Sequence, residues 1–459
     1  MRLSHVLPAA LAAASLLTPV SGLAQAAPAK AQPVLKTIAA DVDPQALEAT
    51  IRTLVGFGTR HTLSDTRSET RGIGAARRWT ASRFEAISKA CGGCIVVETP
   101  SKVFTGKRAP DGVEIIDVLG IQRGTTDPDR VVIIAGHIDS RVNDVMDAVT
   151  DAPGANDDAS GVAAVLEAAR VLSKHRFPAT IVYAVLSGEE QGLFGGQLLA
   201  QTAKAKGWKV EADLNNDIVG NVHGIGGTVD RTHVRVFSEG TKAVETPEQA
   251  NTRRYNGGEV DSPSRNLARF MDGLAEHYVK GLDVVMVYRT DRFGRGGDQV
   301  PLLEAGYPAV RVTEAAEHYD RQHQTVRTEN GRAYGDMIEG VDFPYLAQVT
   351  RLNAVTLAAL ASAPAPPSGV KIEGAVSADT KVSWDPVAGA TGYRVWWRGT
   401  TEPRWSHARA VGAETSTVLT NVVIDDWFFG VSSVSAEGWE SPVVFPGAAG
   451  SFESGVGTK

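Results

Sequence analysis

Val131-Val132-Ile133-Ile134-Ala135-Gly136-His137-Ile138-Asp139 is an apolar run that ends on a histidine, with a carboxylate two residues further on. The run Val131–Ala135 is a buried strand by length and β-branched content. Downstream, Ser160 to His175 reads as a helix, with Val162, Val165, Leu166, Ala169 and Leu172 on one face. Ile181–Val185 and Ala309–Val312 repeat the strand pattern. Apolar strands alternating with amphipathic helices predict an α/β domain whose sheet is largely parallel and covered on both faces.

In such sheets ligands bind beyond the carboxyl ends of the strands. The residues at those ends are acids and histidines. After His137 and Asp139 comes Pro153-Gly154-Ala155-Asn156-Asp157-Asp158-Ala159-Ser160-Gly161, directly before the helix. A helix cap explains one of its acids; two adjacent carboxylates after a Pro-Gly approach go beyond capping. The strand ending at Leu186 runs into Ser187-Gly188-Glu189-Glu190-Gln191-Gly192. Two neighbouring glutamates raise each other's pKa unless cations are present. Leu214-Asn215-Asn216-Asp217 and His318-Tyr319-Asp320-Arg321-Gln322-His323 complete the set. Zinc commonly takes a histidine whose other ring nitrogen is held by an acid, and Asp139 is placed to do this for His137. No G-x-S-x-G elbow, H-E-x-x-H helix, complete P-loop or complete G-x-G-x-x-G occurs.

Taken in order, these segments resemble the co-catalytic di-zinc exopeptidases typified by secreted bacterial leucyl aminopeptidases, over roughly Asp41 to Ser362. The resemblance implies a mixed, mainly parallel sheet between helices. It implies two Zn2+ ions, with Asp157 bridging them, His137 and Asp217 completing one site, and Glu190 and His323 the other. It makes Glu189 the general base and Asp139 the partner of His137. His318 competes with His323 for the last ligand position, and the sequence context favours His323. Asn156 stands where the family often has an acid, and Gly297-Asp298-Gln299 replaces a common Asp-His, so the preferred substrate residue stays open. Arg289, Arg292 and Arg295 read as a solvated loop. The implied activity is aminopeptidase action on peptides through a water shared by the metals. The alternatives are a zinc carboxypeptidase or another amidohydrolase, or a non-catalytic surface-binding protein.

The remaining sequence sets the context. The 459 residues carry a formal net charge of −7, which argues against a nucleic-acid partner. Residues 1–26 read as a signal peptide: Arg2, an apolar stretch from Val6 to Val20, then Ala24-Gln25-Ala26. The expected location is therefore secreted or periplasmic. No later stretch has about 18 uninterrupted apolar residues, so no stable membrane insertion is expected. In an oxidising compartment, Cys91-Gly92-Gly93-Cys94 reads as a small disulfide loop.

The Pro/Ala stretch from Ala361 to Pro367 separates a catalytic domain, residues 41–362, from a module at 366–446. Six of the eight tryptophans fall after it, among short β runs and turns, which fits a small all-β sandwich. Trp384-Asp385-Pro386, Gly389-Ala390-Thr391-Gly392-Tyr393 and Val431-Ser432-Ser433-Val434-Ser435 resemble a fibronectin type III module, with a surface or another protein as its expected partner. Tyr393, Val395 and Trp397 are expected on one face, with Arg394 and Arg398 on the other. Few contacts are expected to cross the boundary.

Overall fold

The structure is a computed structural model that describes residues 27–453; the signal peptide read at 1–26 lies outside them. Eight strands form one sheet: β1 (Val96–Glu98), β2 (Val118–Gln122), β3 (Asp127–His137), β4 (Ala179–Leu186), β5 (Lys209–Asn216), β6 (His233–Phe237), β7 (Asp283–Val287) and β8 (Ala309–Glu314). Their order is β1-β2-β4-β3-β5-β8-β6-β7. The four central strands β4, β3, β5 and β8 are parallel, while β2 and β6 join them antiparallel. The mixed, mainly parallel sheet expected from the sequence is the one observed.

Period-two alternation splits β3 between two cores. Val132 and Ile134 pack with the helices Pro44–Val55, Ala159–Leu172, Pro263–Tyr278 and Phe343–Ser362. Val131, Ile133 and Ala135 face Phe194–Lys206 and Gln299–Glu304. Burial on both faces is why these strands read as unbroken apolar runs rather than alternating ones. The first helix after β3 ends at Leu172, three residues before the sequence-read end. Beyond it the last turn tightens, with Lys174 N donating to the Val171 carbonyl at 3.4 Å and His175 N to the Leu172 carbonyl at 2.9 Å.

The connection from β3 leads to β4 on one side, and the chain then crosses to β5 on the other. Strand order thus reverses at β3, which opens a crevice beyond its carboxyl end. All five candidate ligands lie at or after such strand ends.

Cys91 and Cys94 are joined in a disulfide just after the helix Gly72–Ala90. The bridge closes a very short loop, so its reduction costs about 2 kcal/mol or less. Urea denaturation with and without reductant should show a correspondingly small shift in midpoint. Loss of the folded state on reduction would contradict this.

After Ala363 the chain forms two three-stranded antiparallel sheets. One pairs Lys371–Glu373, Thr380–Ser383 and Ser416–Leu419; the other pairs His407–Gly412, Gly392–Gly399 and Trp427–Val434. Tyr393 and Val395 enter the core between them, with Trp397 packed against it. The opposite face does not look into water. Arg398 is 1% exposed and donates two hydrogen bonds to Asp261, at 2.8 and 2.9 Å. Arg269 binds the same carboxylate at 2.9 Å. Arg404 pairs with Asp272, and the Trp405 indole donates to Asn266 Oδ1 at 3.0 Å. Arg130 holds the Ala363 carbonyl at 2.6 Å. The expected boundary of few contacts is thus replaced by a buried ionic interface. Its cause is the outward face of Gly392–Gly399, whose Arg398 meets Asp261 just before the helix Pro263–Tyr278, while Arg404 beyond the strand meets Asp272 on it.

Candidate metal centre

Strand ends carry His137, Asp217 and the Glu-Glu pair, whereas Asp157 precedes a helix and His323 lies in the loop after β8. His137 is the last residue of β3, and Asp217 directly follows β5. Glu189 and Glu190 open a four-residue helix after Gly188, which itself follows β4. Asp157 sits one residue before Asp158, the cap of the Ala159–Leu172 helix. Asp158 ties three of these segments together: its carboxylate accepts from Gly161 N at 2.9 Å, His137 N at 3.0 Å and Ile218 N at 3.2 Å. Asp336 does the same for Asp157, accepting its N–H at 2.7 Å and that of Asn156.

The result is two adjoining triads that share Asp157: His137, Asp157 and Asp217 in one, and Asp157, Glu190 and His323 in the other. Within each, the ligand atoms all lie within 4.8 Å of one another. His137 Nε2 is 3.3 Å from Asp157 Oδ1 and 3.9 Å from Asp217 Oδ1. His323 Nε2 is 3.0 Å from Asp157 Oδ2 and 3.1 Å from Glu190 Oε1. The two oxygens of Asp157 therefore face different histidines.

These residues fit zinc. Glu190 Oε1 is buried and lacks a properly directed hydrogen bond even at this distance from His323. Nitrogen and oxygen atoms that approach without bonding converge on a third point. Tetrahedral zinc with bonds of 2.0–2.1 Å separates its ligand atoms by about 3.3 Å, close to the shorter spacings here. Three protein ligands per triad leave a coordination position free, as catalytic zinc requires.

Asp139 is placed differently from a simple histidine partner. The nearest acceptor to His137 Nδ1 is the Asp139 main-chain carbonyl, at 3.1 Å, while the carboxylate stands 3.6 Å away. That carboxylate accepts from Thr62 Oγ1 at 2.7 Å and from the N–H groups of Gly188, Glu189 and Glu190. It thereby anchors the start of the Glu-Glu turn. The Glu189 side chain makes no hydrogen bond. Burial holds its carboxyl well above the ordinary range, and Glu190, Asp217 and Asp298 push the same way against the opposing pull of His137.

His318 belongs to neither triad; it lines a separate recess of about 360 Å³ with His223, Arg321 and Arg332. Asn156 donates to Glu314 at 2.8 Å and accepts from Gly220 N at 2.8 Å, a pair of roles that a carboxylate cannot fill. Burial pushes Glu314 up to about 8. Asp298 is likewise buried, raised to about 7, and accepts from Gly196 N at 3.0 Å. Gln299 links Asn215 to Asp291.

Sequence reading missed several supports. Arg311 donates from Nη1 to Asp217 Oδ2 and from Nη2 to the Asp217 carbonyl at 3.2 Å. A charged residue inside the apolar run Ala309–Val312 was the available signal. Arg141 binds Glu190 Oε2 at 2.7 Å. Arg292 departs from its expected solvated place: its side chain is 10% exposed, with Nη2 3.8 Å from Asp217 Oδ2. Asp336 is 179 residues from Asp157, and nothing local announces it.

Two triads able to hold a metal ion beyond the carboxyl ends of a parallel sheet, with a free carboxylate beside them, have the make-up of a metallohydrolase centre. The pattern of peptidase family M28 matches residues 117–341. A probable zinc metalloprotease from Pyrenophora teres f. teres is 44% identical over 418 residues, covering 90% of this chain and 86% of that protein. One from Leptosphaeria maculans is 44% identical over 429 residues, covering 93% and 99%. The chain belongs to peptidase family M28 and is a zinc metallopeptidase. Among solved structures, the Legionella pneumophila aminopeptidase LapA superposes with a TM-score of 0.53 at 18% identity, over 78% of this chain and 80% of its own. LapB from the same organism gives 0.51 at 17%, over 73% and 77%. At these identities the likeness is one of fold.

Proposed function

We propose that the chain is a secreted or periplasmic aminopeptidase that binds two zinc ions and removes residues from the N-termini of peptides. The observation that carries this reading is the pair of triads sharing Asp157, with Glu189 beside them and unbonded. His137, Asp157 and Asp217 would hold one ion and Asp157, Glu190 and His323 the other. Bound there, the ions supply Lewis acidity for the attacking water and the scissile carbonyl. Glu189 takes the proton from the water and delivers it to the leaving amine, the work of a positioned general base. Asp139 holds the turn that aims Glu189, through the N–H groups of residues 188–190. The absence of a recognisable serine or cysteine nucleophile motif agrees with direct attack by water.

Secretion rests on the signal-like residues 1–26. The fibronectin type III-like reading of residues 366–446 belongs to the same proposal. The module's free surface is left to contact a surface or another protein.

Exhaustive chelation should abolish cleavage of an unblocked amino-acyl reporter, and about two zinc ions per chain should restore it. Activity surviving chelation would overturn the metal assignment. N-blocking the reporter separates the alternatives. An aminopeptidase loses cleavage, whereas undiminished cleavage of the blocked reporter would point to a carboxypeptidase or another amidohydrolase.

A further inference from the structure

Each triad has one carboxylate that is not shared, and an arginine grips each of them from behind. Asp217 presents Oδ1 towards His137, while Arg311 Nη1 donates to its Oδ2. Glu190 presents Oε1 towards His323, while Arg141 Nε donates to its Oε2 at 2.7 Å. Arg311 is 0% exposed and the Arg141 side chain 12%, so neither charge is strongly screened by water. The arrangement recurs on ligands that come from different strands.

Building on the two-zinc reading above, we propose that Arg311 and Arg141 are positioning residues, one per triad, that confine Asp217 and Glu190 to a single ligand oxygen and oppose tight zinc binding. A guanidinium on the second oxygen takes one of its lone pairs and part of its charge, which disfavours closure around a cation with both oxygens. The carboxylate, its charge partly neutralised, also donates less to the metal and leaves a stronger Lewis acid. The same arginines compensate the clustered carboxylates when no cation is bound, which favours the chelated protein. Both effects trade affinity for polarising power. Hydrogen bonds around ligating groups tune metals; here the partner is a cation, which withdraws charge from the ligand instead of raising its basicity.

The test uses the full chain with Arg311→Gln, Arg141→Gln and the charge-retaining Arg311→Lys. Zinc affinity is read by competition with a chromogenic chelator, and stability as the melting gap between zinc-loaded and chelated protein. Both glutamine variants should bind zinc about three- to tenfold more tightly, with a wider melting gap. Their kcat should fall about tenfold with KM little changed. Cobalt-substituted Arg311→Gln should show weaker visible absorption, as a second carboxylate oxygen raises the coordination number. Arg311→Lys should return zinc affinity to the parent value. A purely structural role for the arginines would instead loosen zinc and narrow the melting gap, and that result in Arg141→Gln overturns the proposal even if Arg311→Gln fails to fold. Failure of the parent protein to bind zinc would overturn the underlying site reading, a distinguishable outcome.

Discussion

Glu189→Gln keeps its zinc and loses about 10²–10⁴-fold in kcat. Glutamine preserves the side chain's size but cannot take up the water's proton. Glu189 belongs to neither triad, so no ligand atom is removed. The main-chain N–H that fixes the residue to Asp139 is untouched. Glu190→Gln behaves differently, because it exchanges an oxygen that faces His323 at 3.1 Å and breaks the ion pair with Arg141. That variant should lose zinc from one triad before it loses chemistry. Metal content and turnover measured on the same preparation separate the two. Zinc loss from the Glu189 variant with normal content in the Glu190 variant would show the roles to be reversed.

Arg398→Ala should destabilise the folded chain by about 3 kcal/mol, the lower end for breaking a buried ion pair. Asp261 is 0% exposed; it would keep Arg269 but lose two of its three charged hydrogen bonds. A chain cut near Ala363 should fare worse. It removes Arg398, Arg404 and Trp405 together, exposing a helix face and freeing the acids they bind. The boundary of few contacts expected from the sequence would have left the catalytic part unharmed by such a cut. The interface instead predicts poor folding, with normal zinc content and turnover per zinc in whatever fraction folds, since every candidate ligand precedes Ala361. Denaturant midpoints for the point variant, and yield with metal content for the truncation, check both. An unchanged midpoint for Arg398→Ala would mean that the interface is worth far less than its geometry suggests.

The contrast between these two expectations marks what was legible in the sequence. Strand ends were legible because an apolar run that stops at an acid or histidine is a local event. His137, Glu190 and Asp217 follow such ends; Asp157 and His323 do not, and it was the family resemblance that implied the full set, all five of which fall in the triads. Asp139 was found, but its bonds to residues 188–190 depend on how β3 and β4 lie side by side, which no single segment encodes. Arg311 was visible as an odd charge in a buried strand, yet its target comes from β5. The strands β6 and β7 passed unread: each has only five residues, and β6 is interrupted by His233 and Arg235. At Ala361–Pro367 the composition correctly reported a chain that leaves its helix. It was silent about which face of the next sheet would turn back. The arginines of that face looked like surface residues because alternation alone cannot distinguish water from a second protein layer.

The Arg269–Asp261–Arg398 cluster also constrains how this chain can vary. Asp261 replaced alone would strand two buried guanidinium groups, and either arginine replaced alone would leave its partners short of charge. Positions 261 and 398 are 137 residues apart, yet substitutions at them are expected to arise as compensated pairs among relatives. A foreign β module grafted after Ala363 would have to bring its own cation to the place Arg398 fills.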